Sequence, residues 1–121
     1  MSTAEELFQR ATEVRADAVR HLTALAGDAS MCAIGRSGRS FPAAKYHEGR
    51  QSGAGDVRRA LRGAPADAAS VDVVVADVRQ RWQQTMDGAH AKGPDWVAYA
   101  TGGLDALAEI TAALRPSQPQ Q

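Results

Sequence analysis

The feature that most limits what this chain can fold into is a periodic stretch from Ala68 to Ala89. Small or apolar side chains recur there at Ala68, Val71, Val74 or Val75, Val78, Trp82, Thr85 or Met86 and Ala89. These steps of three and four place them on one stripe of an α-helix. Val71-Asp72-Val73-Val74-Val75 has β propensity taken alone. The stripe runs through it without changing period, so the spacing predicts one continuous helix. A helix with a single apolar stripe needs other elements to cover it, and the rest of the chain supplies three.

Ser2-Thr3-Ala4-Glu5-Glu6 holds two overlapping capping boxes, Ser2 with Glu5 and Thr3 with Glu6. A first helix should follow, with its stripe at Leu7, Ala11, Val14, Ala18, Leu22 and Leu25 and a stop at Gly27. Pro42, suited to the first helical position, opens a second helix. Its register continues through Tyr46, Gly49 or Arg50, Gly53, Val57 and Leu61 to a stop at Gly63-Ala64-Pro65. Each glycine inside it costs about 1 kcal/mol relative to alanine. Two readings follow: Gly49 and Gly53, four apart, make a flat face for close approach of another helix, or the helix breaks between Gln51 and Gly55 and restarts at Asp56. The third helix ends at Lys92-Gly93. Pro94-Asp95 opens a fourth, with Trp96, Tyr99 or Ala100, Gly103, Leu107, Ile110 and Leu114 on its stripe and Arg115-Pro116 as its stop. Trp82 and Trp96 both lie on apolar stripes and are expected to anchor a core or an interface.

The expected fold is therefore all-α, an antiparallel four-helix bundle with a longer, partly apolar loop between helices 1 and 2. A single domain over 1–116 is expected, followed by a polar, disordered tail at 117–121. With aromatics at only 5% of 121 residues, each helix buries limited apolar area. A homodimer, across the Gly49 and Gly53 face or the Trp82 region, would add burial. No apolar run is long enough to span a bilayer and no signal-peptide pattern opens the chain, so no membrane partner is expected. The lone Cys32 agrees with a reducing, cytoplasmic address.

Formal net charge is zero, but its distribution is uneven. From Arg36 to Arg62 there are seven Lys or Arg against Glu48 and Asp56. Arg36, Arg39 and Lys45 sit at or near the predicted start of the second helix, and no acid appears until Glu48. The positive end of a helix disfavours cations and favours anions. That placement points to an anionic small molecule or an acidic protein surface, bound by Arg36, Ser37, Arg39, Ser40 and Lys45, with His47 and Arg50 in support. The GRSGRS motif lacks the lysine and spacing of a nucleotide-binding P-loop.

Two other chemistries are open. A metal- or thiol-dependent enzyme would draw on Cys32, His47 and Glu48, with His21 and His90 near the same pole of an up-down bundle. None of these has diagnostic spacing, and the residues identify no cofactor. Cys32 reads more readily as a small buried hydrophobe, and His21 and His90 as donors at helix C-termini. A nucleic-acid-associated regulator would use Arg58, Arg59 and Arg62. Zero net charge and the lack of a helix-turn-helix pattern weigh against that reading.

Overall fold

A computed structural model describes residues 3–25, 41–65 and 67–112. Among the described residues there are four helices and no strand, in chain order α1 (Thr3–Leu25), α2 (Pro42–Arg62), α3 (Ala68–Ala89) and α4 (Pro94–Ala112). They pack as a helical bundle. The long connection between α1 and α2 and the C-terminal tail lie outside the described residues.

Local chemistry accounts for the helix boundaries. Glu5 and Glu6 occupy the first turn of α1, where the helix dipole favours them. Pro42 opens α2, and at its end the Gly63 N–H donates to the Ala60 carbonyl and the Ala64 N–H to the Leu61 carbonyl. At the start of α3, the Asp67 carboxylate accepts the Ser70 N–H at 2.9 Å. The turn into α4 depends on Gly93, whose φ of 115° lies where side chains beyond Cα are strained. Its N–H donates to the Ala89 carbonyl at 3.2 Å.

The β-prone run of valines is helical throughout. Val71 and Val75 are buried while Val73 is 69% exposed, as a 3.6-residue period requires. The core is built from Leu7, Ala11, Val14, Ala54, Val57, Leu61, Val71, Val75, Val78, Trp82, Ala106, Leu107 and Ile110. Trp82 is the one large aromatic among these. Its indole N–H donates to Asp56 at 2.9 Å, so the polar edge of the ring is satisfied on α2.

The second helix is continuous, with no break between Gln51 and Gly55. Its glycines serve packing. α2 and α4 form the most extensive helix pair in the molecule, followed by α1 with α2. A Cβ at Gly49 would fall on the Tyr99 carbonyl oxygen, and one at Gly53 would lie 2.8 Å from the Gly103 carbonyl oxygen. Reciprocally, a Cβ at Gly102 would fall on the Tyr46 carbonyl and one at Gly103 on the Trp82 ring. Main chain therefore packs on main chain, and α2 and α4, which run in the same sense, form the centre of the bundle. Gly49, Gly53 and Trp82 are all packed within the chain.

Candidate functional site

Arg50 is the one buried charged residue among those described, at 5% exposure. It projects from α2 toward α1 and α4. Nε and Nη2 donate to the two carboxylate oxygens of Glu109 at 3.1 and 3.0 Å, a bidentate fork, and Nη2 also donates to Asp17 at 2.9 Å. Burial works against this charge, yet the hydrogen bonds to Glu109 and Asp17 outweigh it and hold the guanidinium above its ordinary pKa. The hydrogen bond from Arg50 in turn keeps the Asp17 carboxyl below the usual range, against the effect of its own desolvation. Arg50 thus ties together three helices. The sequence reading placed it in support of an anion site, but its guanidinium is already held by two carboxylates of the chain.

His47 sits beside it. Arg50 Nη1 lies 3.2 Å from His47 Nδ1. A guanidinium only donates, so Nδ1 must carry the lone pair and the ring proton of neutral His47 sits on Nε2. The ring stacks on His21 of α1 with centroids 4.5 Å apart. His21 Nδ1 meets the Asp17 carbonyl oxygen at 2.9 Å and therefore donates. Burial first, then His21 and Arg50, push the His47 pKa down. The Tyr46 ring meets His47 edge to face at 5.1 Å, and its hydroxyl donates to Asp105 at 2.6 Å. Burial and that bond push the phenol up to about 12.

Acid should loosen this cluster in two stages. The unfolded chain takes up a proton at His47 near 6.5 while the native chain resists, so stability falls as pH drops through that value until native His47 also protonates. Asp17 contributes stability that is present above 3.8 and lost as pH falls through its lower native pKa. Thermal unfolding followed from neutral pH downward reads each loss as a fall in Tm of about 4 °C per kcal/mol. His47→Gln keeps an acceptor for Arg50 and should flatten the upper stage, and Asp17→Asn the lower. An unchanged upper stage in His47→Gln would count against the assignment.

Glu48, one residue on, faces elsewhere. It pairs with Lys45 at 3.0 Å and borders a cavity of about 360 Å³ together with Lys45, Asp95, Trp96 and Tyr99. His47 and Glu48 therefore share no site, and Cys32 lies outside the described residues. Among the described residues, no group of three or more His, Cys, Asp or Glu is placed to hold a metal ion. His90 is the exposed C-cap of α3.

The cavity lies at the shared N-terminal end of α2 and α4. Here the field of α2 meets an anion from its own chain: the Phe41 N–H donates to the Asp95 carboxylate at 3.0 Å. Lys45 in the first turn has Glu48 as its partner. Arg36, Ser37, Arg39 and Ser40 lie outside the described residues, in the segment that leads into Phe41. Trp96, expected to anchor a core or interface, is 48% exposed. Lys92 places its ammonium 4.8 Å from the centre of the Trp96 ring. An up-down bundle read from sequence brings Lys45, Glu48, Asp95 and Trp96 to one pole, but that they enclose a cavity with Tyr99 is a property of the packed helices. Trp96 directly after Asp95 was the available signal.

The arginines considered for nucleic acid are partly engaged. Arg58 and Arg62 stand over the Phe8 ring, 5.1 and 5.4 Å from its centre, and Arg59 pairs with Asp56. No helix among the described residues is long and apolar enough to cross a membrane. Comparison with protein-family models, with curated proteins and with solved structures finds no match for this chain.

Proposed function

We propose that this chain is a small helical binding protein of the cytoplasm that takes an anionic ligand or an acidic protein surface at the end where α2 and α4 begin. Arg36, Ser37, Arg39, Ser40 and Lys45 are its proposed contacts. The observation that supports this reading is the cavity of about 360 Å³ lined by Lys45, Glu48, Asp95, Trp96 and Tyr99, beside the residue into which the basic segment runs; of its two acids, Glu48 is paired with Lys45 and Asp95 accepts the Phe41 N–H. Lys92 adds to it. Among the described residues its ammonium meets an aromatic face and no carboxylate, so that charge is open to an incoming anion. Arg50, named in support of that site, is held by Glu109 and Asp17 and fastens α2 to α4 and α1, with His47 beside it.

A glutamate-rich peptide and inorganic phosphate, titrated against the protein at low and at physiological salt, test the reading. Binding of one of them should weaken as salt rises and should be lost in the Arg36→Ala, Arg39→Ala double variant, with Tm unchanged. Absence of binding by both probes, or binding indifferent to those two substitutions, would overturn it.

A further inference from the structure

Two histidines from different helices meet face to face in this molecule. His21 of α1 and His47 of α2 stack with centroids 4.5 Å apart and planes 17° from parallel. Neutral rings stack well at that spacing, whereas two imidazolium rings repel. The contacts around them fix where each added proton goes. His21 already donates from Nδ1 to the Asp17 carbonyl oxygen, so a second proton falls on Nε2 and leaves that bond intact. His47 keeps its lone pair on Nδ1, which faces Arg50 Nη1 at 3.2 Å. A proton there sets one donor against another and ends the contact. His47 is therefore the ring whose charge the packing does not take, and His21 adds to the repulsion. Burial, His21 and Arg50 holding His47 below its ordinary pKa express the same preference.

The surrounding charges leave little to answer two new cations. On α1, Asp17 pairs with Arg20 and Arg50 and lies 3.4 Å from His21. On α4, Glu109 is taken by the Arg50 fork and Asp105 by the Tyr46 hydroxyl. Tyr46 itself turns a neutral ring toward His47. The stack also sits where α1 is held least. The buried residues of α1 are Leu7, Ala11, Val14 and Ala18, and none from Val19 to Leu25 is buried. With Leu22 and Leu25 only partly covered, the last two turns of α1 depend on the stack and on Asp17 for their attachment to α2.

We infer that the His21–His47 stack is a proton-operated latch, closed at neutral pH and opened by mild acid, that releases the C-terminal two turns of α1 from α2. The α2–α4 pair stays together, because its contacts at Gly49, Gly53 and Gly102 are between main-chain atoms that do not titrate. This is a local opening, distinct from the fall in overall stability described above, and it does not depend on what the protein binds.

Hydrogen exchange read residue by residue at about pH 7.5 and about pH 5, the range in which histidine changes charge, tests the latch. Asp17, held below 3.8, remains ionised at both. Protection at the end of α1, corrected for the intrinsic exchange rate, should fall by about tenfold or more at the lower pH, while protection along α4 holds. His47→Gln should keep its neutral-pH protection in acid, since glutamine accepts from Arg50 without taking up a proton. His21→Phe keeps a ring in the stack with no charge to add and should lose less protection than the natural chain. Equal loss in α1 and α4 would show global destabilisation and overturn the latch. So would protection at the end of α1 that ignores pH. A full acid loss in His47→Gln or, should that variant not fold, in His21→Phe would overturn it as well.

Discussion

Gly49→Leu should unfold or nearly unfold this protein. Most overpacking substitutions push against side chains that can turn aside, and they cost about 1–3 kcal/mol. Here the first carbon added at residue 49 falls on the Tyr99 carbonyl, and the Gly103 amide nitrogen is 3.1 Å from the same point. Backbone cannot rotate out of the way. α4 would have to move off α2, and the Gly53 contact with Gly103 and the Gly102 contact with Tyr46 would open with it. The expected loss is above the usual overpacking range, more than about 3 kcal/mol, against a total stability of about 5–15 kcal/mol for a domain. Gly88→Ala in α3 is the control. A Cβ there meets nothing within 4 Å, so the gain in helix propensity should raise stability by up to about 1 kcal/mol. Chemical denaturation of the two variants should move in opposite directions. Gly49→Leu with wild-type stability would mean that α2 and α4 are not in main-chain contact.

Removing both acids from Arg50 should have the next largest effect. In Asp17→Ala, Glu109→Ala the Arg50 guanidinium, whose side chain is 6% exposed in the native protein, is left with neither counter-ion, and stripping a buried charge of its partners costs about 3–5 kcal/mol. The lower part of that range applies. Both carboxylates are themselves over a third exposed, at 37% and 38%, so water already screens part of each pair. Arg50→Met should cost less than the double variant, because the methionine fills apolar space while the two acids left behind can hydrate. That order, double variant worse than Arg50→Met, distinguishes a charge that needs partners from a side chain that merely packs. The reverse order would show that volume at residue 50 matters more than charge.

Much of the scaffold was readable from short stretches of chain. Pro42, Pro94, Gly63 and Gly93 mark the ends of helices because their effects on φ and on donor availability act within one turn. The stripe through Val71, Val75, Val78 and Trp82 identified α3 despite its β-prone run, since burial follows period more closely than propensity does. Gly49 and Gly53 were legible as a face, although not as one that α4 would occupy.

The candidate site was less legible because its interactions reach far along the chain. Phe41 and Asp95 are separated by 54 residues, and so no local reading of α2 could find the acid that answers its N-terminus. Arg50 and Glu109 are 59 apart. From sequence, Arg50 was one more cation in a basic segment. In the bundle it is a buried tie between helices, a role set by which residues of α1 and α4 face it.

Sequence alone determined the order of the four helices among the described residues and where most of them begin and end, because caps, prolines, glycines and a 3.6-residue period act over a single turn. Tertiary structure alone decided which of the charges are spent within the molecule and which aromatic is left at its surface. Pairing and exposure are properties of two helices at once, and a residue's own neighbours in the chain do not carry them.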